Sequence, residues 1–136
     1  MPVNSKLATL SLVIAALLVS ASAQAQAPAL PEPTLENVAY GPHPKQVLDF
    51  YQASSNQVTP VLFFVHGGGW MTGDKAKPDF LAQCLASGIS VVSINYRFIP
   101  DAVAEKIDPP VKACLDDAAR ALQFVRSKAG EWRIDK

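Results

Sequence analysis

The run His66-Gly67-Gly68-Gly69-Trp70-Met71-Thr72-Gly73 places four glycines in the seven positions 67–73. Glycine weakens both helix and strand interiors, so this stretch is a tight loop. The chemistry open to such a loop is recognition of negative charge, because without Cβ atoms the backbone N–H groups can approach an anion or a developing oxyanion. Two anion-binding spellings fail. A phosphate loop needs Lys and then Ser or Thr after its last glycine, and Gly73 is followed by Asp74. The dinucleotide fingerprint needs a glycine where Thr72 stands. Plain turn geometry at positive φ also accounts for glycines here, and Gly73-Asp74-Lys75 reads as an ordinary turn leaving the loop.

Other constellations are thinner. A G-x-S-x-G pentapeptide is missing; Gly88-Ile89-Ser90-Val91-Val92 lacks the final glycine and opens a strand, so Ser90 is a decoy. The two histidines, His43 and His66, both precede every plausible nucleophile. Neither has a metal-ligating partner three to five residues on, and Cys84 and Cys114 stand apart, so no metal or cofactor is expected. Asp116 and Asp117 are adjacent on a helical segment, where successive side chains point about 100° apart. They do not share a site, and Asp117 reads as a structural anchor.

The elements around the loop follow from patterning. Pro60 to Val65 (PVLFFV) is an unalternating apolar run, the mark of a strand covered on both faces, and Ile89 to Tyr96 is a second. Between them Phe80, Leu81, Cys84 and Leu85 recur at helical spacing over Pro78 to Ser87, with Gly88 placed as a C-cap. Asn37 to Tyr40 and Gln46 to Tyr51 flank the turn Gly41-Pro42-His43-Pro44 and predict a hairpin. Phe98 to Asp108 carries no period and is expected as a loop. From Pro109-Pro110 a long helix presents Val111, Leu115, Ala118, Leu122 and Val125, ending near Gly130. The predicted order is β-β-β-α-β-α, an α/β domain with a mostly parallel sheet. The sequence stops at Glu131 to Lys136 (EWRIDK), where another buried strand should begin, so the domain reads as partial, stopping before a nucleophile turn.

With the loop set between a buried strand and a helix, His66 to Gly69 resembles the HGGG-type oxyanion loop of the α/β-hydrolase superfamily, in its hormone-sensitive-lipase-like or acetyl-esterase branch. Asn95-Tyr96-Arg97 and Asp117-Ala118-Ala119-Arg120-Ala121-Leu122 extend the likeness, which covers roughly residues 37–136. The resemblance implies hydrolysis of carboxylic esters, acetyl or short-chain, small or carbohydrate-linked. Gly68 and Gly69 would supply the oxyanion N–H donors, with Gly67 completing the turn and His66 organising the loop through backbone contacts. Trp70 would line the substrate pocket or fill the core, and 98–108 would border the entrance. Amide hydrolysis on the same geometry, or a secreted binding module without catalysis, are the alternatives. In this family nucleophile, acid and histidine follow in that order, so they would lie beyond Lys136 and the chain alone would be inactive. The family's fifth strand lies beside its third, opposite the fourth. That order sends the two crossovers in opposite directions and their helices to opposite faces, so Cys84 and Cys114 would be free, buried and separated by the sheet. Without the fifth strand PVLFFV would be an exposed, aggregation-prone edge.

Composition sets the outer limits. Twelve Lys and Arg balance twelve Asp and Glu with no basic cluster, which leaves no electrostatic footprint for nucleic acid. Lys6, the apolar run Leu7 to Val19 and the small residues Ser20 to Ala27 predict a signal peptide cleaved after Ala25 or Ala23. The run is too short to span a bilayer. A secreted or periplasmic protein follows, with residues 1–25 removed, a Pro-rich linker over 26–34 and the domain over 35–136.

Overall fold

The computed structural model describes residues 30–76 and 78–136. The signal segment and the first residues of the linker lie outside the described residues. Four strands form one sheet: β1 (Leu35–Ala39), β2 (Val47–Tyr51), β3 (Val61–Val65) and β4 (Ser90–Ile94), in the spatial order β1-β2-β4-β3. β1 and β2 make the expected hairpin, and β2 pairs antiparallel with β4 from Leu48–Ile94 to Tyr51–Val91. β3 and β4 run parallel, Val61 opposite Ser90 and Val65 opposite Ile94, joined through α1 (Leu81–Ala86). That crossover is the α/β unit predicted from the two apolar runs.

Period-two alternation divides the side chains of the sheet between two cores. On one face Leu48, Phe50, Val92 and Ile94 pack with Cys114, Ala121 and Val125 of α3 (Val111–Ser127). On the other, Tyr51 and Val91 pack with Leu81 of α1, and Leu62, Cys84 and Leu85 close around them. Cys84 and Cys114 are both free and sit on opposite faces, as anticipated. Only Cys114 is fully buried; Cys84 is half-buried because α1, six residues long, covers its face incompletely. Gly88 follows the α1 C-cap at φ 75°, the left-handed stop expected of it.

Three expectations are corrected. Residues 98–108 are not all loop, for Ile99–Ala104 form a further helix, α2. It escapes periodicity because six residues hold less than two turns. Its start is nevertheless written locally, with Pro100 in the first turn and the Asp101 carboxylate accepting the Phe98 amide at 2.8 Å. The buried face of α3 is Ala113, Cys114, Asp117, Ala121 and Val125, while Leu115 and Leu122 are exposed. Small residues let α3 lie close to the sheet, and the larger leucines turn outward. β3 is half-buried throughout instead of covered on both faces, since it is the edge of the sheet. Over 131–136 the expected strand begins only at Ile134. Ala129–Trp132 form a short helix, α4, whose Trp132 stacks on Phe50 at 4.7 Å. Ile134 then makes a single parallel bridge to Thr59, with Thr59 N–H donating to the Arg133 carbonyl at 3.1 Å and Asp135 N–H to the Thr59 carbonyl at 2.9 Å. One rung of strand pairing therefore forms on the outer side of β3, where the family pattern places a fifth strand.

Candidate functional site: the glycine loop and its supports

β3 ends at Val65 and delivers the loop at the C-terminal end of a parallel pair, the end where α/β sheets present their sites. His66, 6% exposed, turns its ring back on the chain: Nδ1 donates to the Gly67 carbonyl at 2.7 Å. The ring stacks on Tyr96 with centroids 4.5 Å apart, and Phe98 meets it edge-on at 5.9 Å. The Tyr96 hydroxyl donates to the His66 carbonyl at 2.8 Å, and burial pushes that phenol up from its ordinary value, keeping it a donor. His66 Nε2 is buried and has no partner among the described residues. The ring is thus held by backbone and aromatic contacts.

Glycine is required at two points of the loop. At Gly68, φ 120°, an added Cβ would lie 1.9 Å from the Thr72 carbonyl oxygen; at Gly73, φ 126°, it would lie 2.2 Å from His66 Nδ1. The loop folds over itself, with Met71 N–H and Thr72 N–H both donating to the Gly68 carbonyl at 3.1 and 3.2 Å. Gly67 and Gly69 face open space. Among the described residues the N–H groups of Gly68 and Gly69 donate to nothing. Gly69 lines a concavity of about 250 Å³ together with His66, Gly67, Trp70 and Tyr96. Trp70 is neither core nor fully free: it is 37% exposed and meets Tyr96 edge-on at 5.7 Å.

The loop rests on two buried charge networks that sequence reasoning underestimated. Gly73-Asp74-Lys75 is more than a turn. Lys75 reaches under the sheet to Asp49 at 2.6 Å, both side chains less than a tenth exposed, while its amide donates to Asn95 Oδ1 at 2.6 Å. Asn95 in turn donates to Asp74 Oδ2 at 3.0 Å. On the other face Asp117, wholly buried, accepts the Arg97 guanidinium at two points, 2.9 and 2.6 Å, the Arg97 amide at 2.9 Å and Gln46 at 2.7 Å. Burial alone would raise the Asp117 carboxyl; the Arg97 and Gln46 hydrogen bonds outweigh it and hold it below the usual carboxylate range. Arg97 also pairs with Glu105 at 2.7 Å, at the end of α2. Asp117 is therefore a structural anchor, and Tyr96, Arg97 and Phe98 form the bridge from β4 to the loop. Tyr96 and Arg97 lie in the Asn95-Tyr96-Arg97 triplet, whose position at the end of a buried strand was the available signal.

Known proteins share this chain's sequence pattern and fold. The BD-FAE family model matches residues 48–136. The carboxylic ester hydrolase LipN of Mycobacterium tuberculosis is 35% identical over 83 residues, 60% of this chain and 20% of its own length. A probable isoprenylcysteine alpha-carbonyl methylesterase, ICME, of Oryza sativa subsp. japonica is 33% identical over 103 residues, 74% of this chain and 23% of its own. Among solved structures, a truncated form of a carbohydrate esterase from gut microbiota superposes with TM-score 0.62 at 26% identity, over 80% of this chain and 38% of that one. The chain spans between a fifth and a quarter of the length of the two curated relatives. The glycine loop at the end of β3, the parallel β3-α1-β4 unit and the matched residues 48–136 lead to one assignment: the chain belongs to the BD-FAE family of esterase-like α/β-hydrolases.

Proposed function

We propose that this chain carries the oxyanion-binding part of an exported serine esterase, which transfers the acyl group of a carboxylic ester to water. The observation that carries the reading is the pair of Gly68 and Gly69 amides, unengaged among the described residues and set beside the Trp70–Tyr96 concavity. In acyl transfer the carbonyl oxygen gains charge as the nucleophile adds. Fixed N–H donors about 2.7–3.1 Å from that oxygen stabilise it without reorganising. His66 and Tyr96 hold the loop that aims them. Serine nucleophile, carboxylate and histidine base, in the order this fold uses, would lie beyond Lys136. The substrate is an acetyl or short-chain ester, small or carbohydrate-linked.

The test is hydrolysis of p-nitrophenyl acetate by a form whose reading frame continues past Lys136, beside the 136-residue form, each without residues 1–25. Hydrolysis by the longer form alone is the expected result. Within that longer form Gly68→Ala should lower kcat by about 10²–10³-fold with KM little changed, the loss associated with one misplaced oxyanion donor. A longer form that folds and hydrolyses no ester would overturn the reading.

A further inference from the structure

Trp70 holds a left-handed backbone at φ 63°, a conformation that costs a residue of this bulk about 1–2 kcal/mol and persists where neighbours fix it. A fixing contact comes from outside the loop. The Trp70 carbonyl accepts a hydrogen bond from Ile99 N–H at 2.9 Å, the first amide of α2. A six-residue helix does not hold its own start, since nucleation is unfavourable and the first amides lack intrahelical partners. Asp101 pins it. Its Oδ2 accepts the Phe98 amide at 2.8 Å and, on the same oxygen, Lys45 Nζ at 2.6 Å. Lys45 Nζ also lies 4.1 Å from the centre of the Phe98 ring. This lysine comes from the turn between β1 and β2, 56 residues from Asp101 in sequence.

The contacts run without a gap from Lys45 to Asp101, through the Phe98 and Ile99 amides, to the Trp70 carbonyl beside Gly69. We infer that Lys45 is a positioning residue for the glycine loop, fixing through Asp101 and the first turn of α2 the direction in which the Gly68 and Gly69 amides point. The functional meaning of that direction rests on the oxyanion reading; the positioning itself does not. The ammonium is needed as a charge. Asp101 is largely covered, its side chain 23% exposed, and without a counter-ion its carboxylate would turn toward water and release the Phe98 amide. A role confined to tying the turn to α2 predicts something different, a loss of stability that leaves the loop in place.

The chain has seven glycines, so the full 136-residue protein labelled with ¹⁵N-glycine reports loop and remote positions in one spectrum. Lys45→Met should move the Gly68 and Gly69 amide signals, because the loop that carries them loses the tie from Asp101 through the Ile99 amide to the Trp70 carbonyl. Gly88 and Gly130 should stay in place, and Lys45→Arg should restore the original spectrum. Movement of Gly41 alone, a uniform shift of all seven, or failure of the arginine variant would overturn the inference. If Lys45→Met unfolds the chain, Lys45→Gln is read in the same way; unfolding there as well would make Lys45 a stability residue and reject the positioning role. Selective movement of Gly68 and Gly69 in a protein whose longer form hydrolyses no ester would keep the positioning and remove only the chemistry.

Discussion

Gly68, Gly69 and Gly73 sit in one loop under different constraints, which makes them a graded experiment. Gly69→Ala places a Cβ in open space at φ 61° and should cost about 1–2 kcal/mol from backbone strain alone. Gly73→Ala drives a Cβ to 2.2 Å from His66 Nδ1 and must displace the ring from its Gly67 contact, so its loss should exceed that of Gly69→Ala. Urea unfolding of the two variants checks the order. Asp117 gives a second prediction, with a pH sign. Its folded pKa lies below the ordinary carboxylate value, so it binds fewer protons folded than unfolded in the range between the two. It contributes stability fully above pH about 4, and that contribution is lost as pH falls through the lower folded value. Asp101, also held low against its burial by Lys45 and the Phe98 amide, adds in the same direction. The urea midpoint should be level between pH 7 and about 5 and fall below about 4. Asp117→Asn, which leaves Arg97 without a buried counter-charge, should start about 3 kcal/mol lower and fall less steeply.

At the scale of elements, what the sequence disclosed and what it withheld divide by range. β3, β4 and the hairpin were legible because apolar runs and a Gly-Pro-His-Pro turn are local signals, and Gly88 marked the end of α1 in the same way. The glycine loop was legible because four glycines have few uses. α2 was missed, its few residues too short for a period to show, and the face of α3 was misplaced because Ala113, Cys114 and Ala121 carry a weaker hydropathy signal than Leu115 and Leu122. The Lys75–Asp49 and Arg97–Asp117–Gln46 contacts join residues 20 to 71 positions apart, and no local pattern announces such pairs. One consequence is testable between elements. Tyr96→Phe removes the hydroxyl donated to the His66 carbonyl while leaving the ring stack, so it should cost about 1 kcal/mol and raise amide exchange across 66–73 before the rest of the sheet.

Across the whole molecule, the two faces of the sheet differ in how well they are closed. α3 seals one; α1 covers the other only in part. Native protein should therefore show one thiol, Cys84, reacting readily, and a second, Cys114, reacting only on denaturation, because it is wholly buried and burial raises its thiol pKa. Titration of denatured, unreduced chain should count two. The open side of β3 makes a further prediction. Between that edge and α3 lies a groove of about 250 Å³ lined by Val61, Phe63, Leu122 and Val125, and Leu122 is exposed at its rim. Leu122→Glu should lower light scattering of the 136-residue chain at equal concentration with little change in unfolding midpoint.

The rung between Thr59 and Ile134 bears on how the chain comes to be made. Its two ends are about 75 residues apart, so the contact cannot exist until nearly all of the intervening polypeptide has left the ribosome. β3 and β4 can already be paired by then, with the outer side of β3 bare for the whole interval. During synthesis and any passage across a membrane the half-formed sheet is thus most vulnerable at PVLFFV, and a holdase that binds short apolar strands would find its best target there, along an edge that the Thr59 rung caps at one end.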